Sequence, residues 1–505
     1  MRTVEKKMWL VLSCFLLLMG ILARPASAVE VRSKAEVQQE IDQYVKKTMR
    51  ANHIQGAALA IVHNEEVFYT QGYGAMSDGR DINDRTPFPI ASLSKSFTAL
   101  AVLQLVDKGL IELDAPYASY FPDLAPKDER IRDITVRDLL NQTSGLNDKV
   151  NPDMTRSSPY QSLRQVNESL NTVQLANDPG AAYSYHNPNY QYLALLVETM
   201  SGQNFSDYLE DHIFEPLGMR DTFNVSNTRQ INENSAIPRG HYVLLGHPVS
   251  QSEPSWFVDG PAGMISTAED MAKWMLAQYN GRLLTPELME QYQTAGQKGP
   301  YGMGWLAEED EQGGRTISHS GILWTYKAEE TIDLDQRLGI AMMFDSGLNA
   351  FVGYSAFVDG IAKIMKGEKT ESTIVNSKNM EAVMILLVLA TMAWGIYRLY
   401  RIHRSKKAMT TGKLIVSLAG GLLPILILLF LSPLATFIGA GRVLPWYGLW
   451  TAMSSLIIWL VVLSLVNLTV MVCRFRLYYQ AKKMKGITTS PYQGNLQGNL
   501  NPYET

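Results

Sequence analysis

Apolar and polar positions divide this chain into predicted elements before any chemistry is considered. From 29 to 52, Val37, Ile41 and Tyr44 recur at helical spacing. Runs at 56–62 and 66–70 flank the polar His63-Asn64-Glu65, the pattern of a β-hairpin. A helix apolar nearly all round, and therefore buried, is predicted over 97–106, with Gly109 as its C-terminal cap. Residues 110–250 read as helical and loop-rich, with turns at Thr143-Ser144-Gly145 and Asp178-Pro179-Gly180. Within them an apolar helix at 190–200 is closed by Gly202. Thr267 caps a helix through Tyr279, with Asp270 at its third position. Strand-like runs at 302–306, 315–320 and 338–344 precede a last helix at 354–365. Strands at both ends enclosing helices predict an α+β domain: an antiparallel sheet flanked by N- and C-terminal helices, with a helical subdomain inserted.

The two ends of the chain read differently. Residues 1–28 form a secretory signal: basic Arg2, Lys6 and Lys7, an apolar 8–22 and the small-residue site Ala26-Ser27-Ala28. The alternatives are an uncleaved anchor helix, or lipid attachment at Cys14. The domain then occupies 29–368, followed by a polar linker at 369–380. Three stretches in 381–472 are long enough to be transmembrane helices, at about 381–397, 414–440 and 447–472. None has an internal ionisable residue, which argues against a transport pathway. A basic, then disordered, cytoplasmic tail is expected at 473–505. Arg398, Arg401, Arg404, Lys406, Lys407 and Lys413 fill one loop, and Arg474, Arg476, Lys482, Lys483 and Lys485 follow the last span. The positive-inside rule therefore predicts a multi-pass plasma-membrane protein with its large domain extracytoplasmic. Three spans exceed what anchorage needs, so the bilayer and an unidentified membrane partner or lipid-linked substrate are the expected contacts.

Composition narrows the chemistry. With 505 residues, 46% hydrophobic, and a net charge of −4, the chain gives no reason to expect nucleic acid. Its two cysteines, Cys14 and Cys473, both lie in apolar segments, so the domain between them has neither a disulfide nor a cysteine metal site.

The chemistry centres on Ser92-Leu93-Ser94-Lys95 at the head of the buried helix. Residues three apart share a helix face, and a desolvated lysine is one means of activating a serine hydroxyl. Two further elements follow in chain order, Tyr185-His186-Asn187 and His319-Ser320-Gly321. Taken singly, Tyr185 also reads as a buried paired tyrosine and His319 as a structural histidine.

In their order and contexts, these motifs resemble the serine β-lactamase and penicillin-binding superfamily, specifically its class C-like branch. The resemblance runs from about 37 to 364 and includes 134–146 (ITVRDLLNQTSGL), 179–202 and 260–281 (GPAGMISTAEDMAKWMLAQYNG). It implies a β-lactamase/transpeptidase-like fold with Ser92 as acylated nucleophile, Lys95 as its deprotonating partner and Tyr185 as proton shuttle. Asn187, His319 and Gly321 would bind substrate, Gly321 by keeping its strand bare. The backbone N–H groups of Ser92 and Ile322 would form the oxyanion hole. No cofactor or metal is implied.

Two departures stand out. Ile322-Leu323-Trp324-Thr325-Tyr326 lacks the glycine that relatives carry before an aromatic, and His319 replaces the lysine of many members. The histidine weakens a fixed charge, which argues mildly against efficient β-lactam hydrolysis, and both its neutral and its charged form are open at working pH. The expected function is a membrane-anchored serine hydrolase acting through a Ser92 acyl-enzyme on D-alanyl amides or esters of the cell envelope. The alternatives are a general serine esterase or peptidase, and a non-catalytic sensor of β-lactams or wall fragments.

Overall fold

The computed structural model describes residues 32–154, 156, 158–370, 376–405, 409–438 and 443–488. The expected signal segment, with Cys14, lies outside the described residues, as does the tail beyond residue 488. Helix α1 (Lys34–Asn52) begins where Ser33 and Glu36 cap each other reciprocally, and it buries Val37, Ile41, Val45 and Met49. Strands β1 (Gly56–His63) and β2 (Glu66–Gly74) form the expected hairpin. Its turn residues Asn64 and Glu65 both adopt positive φ, at 51° and 65°, which matches the twist of paired strands.

Four more strands, β3 (Leu306–Glu309), β4 (Arg315–Ile322), β5 (Lys327–Asp333) and β6 (Leu338–Phe344), complete an antiparallel sheet of order β2-β1-β6-β5-β4-β3. Side chains alternate across it. Ala57, Leu59 and Ile61 face α1 and the C-terminal helix α5 (Ser355–Met365), while Ala58, Ala60 and Val62 face the larger core. That core is built on α2 (Ser94–Asp107), α3 (Pro188–Ser201) and α4 (Ala268–Ala277). The α+β architecture expected from the sequence is present, with the helical subdomain between β2 and β3.

Two strand expectations need correction. The run at 302–306 is largely a turn, and β3 begins only at Leu306. Gly304, at φ 90°, passes so close to α2 that a Cβ would lie 2.8 Å from the Lys95 carbonyl oxygen. Strand β5 was not expected, because Lys-Ala-Glu-Glu-Thr-Ile-Asp reads as polar. Yet it is a buried central strand in which Lys327 pairs with Glu329 and Ser320, and Glu330 points into the core.

After the domain come α6 (Ser377–Ser405), α7 (Thr411–Leu429), α8 (Leu431–Ile438) and α9 (Trp446–Thr488). Among the described residues α6, α7 and α9 are long and apolar enough to cross a membrane. The second stretch breaks at Phe430, three residues before Pro433, whose missing N–H leaves one helical bond unmade. Helix α9 bends at Met453 (φ −150°, ψ 41°). Around this bend it is tied to the domain. Ser454 Oγ donates to Val243 O at 2.7 Å, Ala350 N donates to Ala452 O at 2.8 Å, and Leu245 N donates to Ser455 Oγ at 3.1 Å. Buried Glu381 of α6 accepts from Ser455 Oγ and from Gly246 N.

Candidate active site

Ser92 does not sit within the long helix but in a 3-10 turn, Ala91–Leu93, that leads into α2. Ala91 is fully buried at φ 49°, a left-handed conformation that disfavours a Cβ, so the backbone is strained immediately before Ser92. Lys95, one turn on, is completely buried, and its Nζ lies 3.1 Å from Ser92 Oγ. The same nitrogen donates to Asn187 Oδ1 and to Pro261 O, each at 3.0 Å. Two obligate acceptors thus take two N–H groups, and the remaining direction of the amine faces the serine.

The orientation of Asn187 follows from its other neighbour. Its Nδ2 donates to Asp153 Oδ2 at 3.0 Å, while Asp153 Oδ1 accepts from Trp256 Nε1 at 3.0 Å. With both Asp153 oxygens accepting, the amide oxygen of Asn187 must face Lys95. Burial raises the Asp153 carboxyl, and the bonds from Trp256 and Asn187 oppose that. Asn187 immediately precedes Pro188 at the head of α3. The residues around it are also fixed: His186 Nδ1 lies 3.0 Å from Asp148 Oδ1, and Gln142 Oε1 accepts from His186 N and Asn189 Nδ2.

Tyr185 is half-buried, its ring centroid 4.8 Å from Lys95 Nζ, 5.7 Å from the Tyr301 ring and 6.3 Å from the His319 ring. His319 is neutral. Burial, with the charge of Lys95 adding to it, pushes its pKa down to about 3. Its Nδ1 donates to Ser320 O at 2.9 Å, which leaves Nε2 to accept from Tyr301 Oη at 3.3 Å.

Ser92, Tyr185, Asn187, His319 and Ile322 line one cavity of about 680 Å³ whose walls are mostly apolar. Leu323 N donates to Tyr326 O at 3.0 Å, closing the turn between β4 and β5. By the antiparallel alternation, Ile322, opposite Lys327, then aims its N–H away from β5. Gly321 does not line the cavity. A Cβ there would lie 2.3 Å from Ile90 O, so this glycine lets β4 approach the chain entering Ser92 rather than clearing space for a ligand.

The sequence brought Ser92, Lys95, Tyr185, Asn187, His319 and Ile322 to notice, and all six converge. It missed Asp153, Trp256, Tyr301 and Leu444, which also form or support the cavity. A polar loop aspartate and scattered aromatics carry no spacing signal. Among the described residues, no group of three or more His, Cys, Asp or Glu side chains is placed to hold a metal.

Protein flp of Staphylococcus aureus (strain MW2) is 28% identical over 318 residues, 61% of this chain and 62% of that protein. Penicillin-binding protein 4* of Bacillus subtilis (strain 168) is 29% identical over 273 residues, 50% of this chain and 58% of that protein. The chain therefore spans about three-fifths of the curated relatives it matches. In fold it is similar to the octameric penicillin-binding protein homologue from Pyrococcus abyssi (TM-score 0.56, 21% identity, 66% of this chain and 78% of that one). It is similar as well to the D-alanine carboxypeptidase AmpC from Burkholderia cenocepacia (TM-score 0.54, 18% identity, 66% of this chain and 100% of that one). Residues 41–354, well over half the chain, match the family model described as Beta-lactamase. This chain belongs to the beta-lactamase family.

Proposed function

We propose that the chain is a membrane-anchored, extracytoplasmic serine hydrolase acting on D-alanyl ester or amide bonds of the cell envelope. The observation that carries this reading is the buried Lys95 amine, 3.1 Å from Ser92 Oγ and held there by Asn187 and Pro261. Once the Lys95 ammonium has given a proton to solvent, the amine keeps its two remaining hydrogens on those acceptors and turns its lone pair toward the serine proton. Ser92 Oγ then bonds to the substrate carbonyl carbon as Lys95 takes that proton. The carbonyl oxygen is received by the Ser92 and Ile322 N–H groups. Collapse breaks the carbonyl bond to the leaving oxygen or nitrogen, which departs with the proton relayed through Tyr185. Water reverses these steps, freeing the acyl group and restoring Ser92.

His319, being neutral, supplies polarity without fixed charge, which favours an ester or short D-alanyl substrate over one needing a cation. The similarity to a relative named as penicillin-binding also supports a D-alanyl pocket. The basic loops and the apolar helices support the placement outside a plasma membrane.

The test is release of D-alanine from a D-alanyl glycerol ester and from a D-alanyl-D-alanine peptide by the full chain in detergent. Release by the wild type and none by Ser92→Ala supports the reading; equal release by both contradicts it.

A further inference from the structure

The catalytic domain does not close the Ser92 cavity by itself. Leu444, two residues before α9 begins, forms part of the wall together with Leu348, Ile322 and Trp324. Trp324 lies in the turn that lacks the glycine of relatives, and α9 holds it in place. Its ring meets that of Tyr447 edge-on with centroids 6.2 Å apart, and a Cβ on Gly448 would come within 2.2 Å of it. Glu253 grips the same turn from the domain side, accepting from Trp324 N, Thr325 N and Thr325 Oγ1. Tyr447 Oη then donates to Ser252 O at 3.1 Å, so the head of α9 and the cavity rim form one packed unit. A helix serving only as an anchor has no need to reach a cavity wall.

We infer that the membrane segment completes the active site and that the substrate is an amphiphile from the same bilayer. It is a D-alanyl ester or amide whose leaving group carries a lipid anchor, and it reaches Ser92 along Leu444 and Trp324. This inference rests on the hydrolase reading above. The apolar wall begins where an apolar helix ends, so a lipid-borne group passes from one apolar surface to the next with little exposure to water. A water-soluble substrate gains nothing from such a wall.

The experiment uses the full chain in phosphatidylglycerol vesicles. D-alanine release is compared between D-alanyl-phosphatidylglycerol in those vesicles and the same D-alanyl ester on free glycerol. The lipid-borne ester is expected to be preferred, and Gly448→Val and Leu444→Ser should each reduce that preference about tenfold. Since partitioning into the vesicle is the same for every variant, the change in preference reports the wall. Fluorophosphonate labelling of Ser92 checks that each variant is assembled. A second measurement needs no variant: a fluorophosphonate with a long alkyl chain ending in a diazirine is attached to Ser92 and irradiated. Cross-links to 444–448 are expected, whereas cross-links confined to the catalytic domain overturn the inference. So does a wild type that prefers neither ester, or variants that label normally with the preference unchanged. If wild-type Ser92 does not label at all, the hydrolase reading falls and takes this inference with it.

Discussion

Asp153 Oδ2 accepts a hydrogen bond from Asn187 Nδ2 at 3.0 Å, and this bond decides which end of the asparagine faces Lys95. Asp153 touches no reacting atom; it positions one that does. Asp153→Asn has a donor and an acceptor where two acceptors stood, so it allows Asn187 to turn its amide nitrogen toward Lys95. The expected result is a loss in kcat of about 10²-fold with KM little changed, since the error lies at Ser92 activation. Steady-state kinetics on a D-alanyl ester check it. A fall confined to KM would instead place Asp153 in substrate binding.

His319 is neutral because burial and Lys95 hold its pKa at about 3. The pH–rate profile above pH 5 should therefore lack a limb from this residue. His319→Gln, which keeps a neutral acceptor for Tyr301, should give a profile of the same shape at reduced height. A limb near the ordinary histidine value that disappears in the variant would mean His319 is charged in the working enzyme.

Glu330 makes a prediction about stability. Burial raises its carboxyl from 4.5 to about 8, partly offset by the Trp274 indole beside it. The folded chain thus holds a proton that the unfolded chain gives up. This contribution is fully present below pH 4.5 and is lost as pH rises through about 8. Glu253, raised to about 7, and Asp259, raised to about 6, act in the same direction. The Tm of the wild type should fall between pH 7 and 9, above the range in which His319, neutral in the fold, adds stability as pH rises. The share from Glu330 is equivalent to a few kcal/mol, at ~1.4 kcal/mol for each pH unit separating its folded from its unfolded value. Glu330→Gln should remove that share, as read by thermal unfolding at several pH values.

Ala91 carries its strain in a position where glycine would have none. Ala91→Gly is expected to raise stability by about 1 kcal/mol, relief of the left-handed conformation outweighing the added freedom of the unfolded chain. Denaturant unfolding of both proteins checks this, and destabilisation would show that the alanine methyl packs better than its backbone suffers.

Much of the fold was legible because its signals are local. The hairpin announced itself through His63-Asn64-Glu65, and α2, α3 and α4 through their caps at Gly109, Gly202 and Thr267. Ser92, Lys95 and Asn187 were legible through residue type and order. What escaped depends on contacts distant in sequence. Strand β5 hides because Lys327 is satisfied by Glu329 and Ser320 and because Glu330, polar in the sequence, is buried in the core. Asp153 matters only once Asn187 and Trp256 have been folded against it. The purpose of Gly321 was misread because nothing local reveals Ile90 on its open face. The link between Trp324 and Gly448 joins a sheet turn to an apolar helix, and neither pattern alone indicates the other.

Everything proposed for this chain depends on Ser92 being an acylated nucleophile, and intact mass reads that directly. The full chain in detergent is incubated with a fluorophosphonate and, separately, with a penicillin, with Ser92→Ala alongside. One fluorophosphonate adduct is expected on the wild type and none on the variant, with a penicillin adduct at the same residue if the pocket accepts a D-alanyl-D-alanine mimic. A folded wild type that stays unmodified by the fluorophosphonate, or a variant modified equally, would contradict a nucleophilic Ser92.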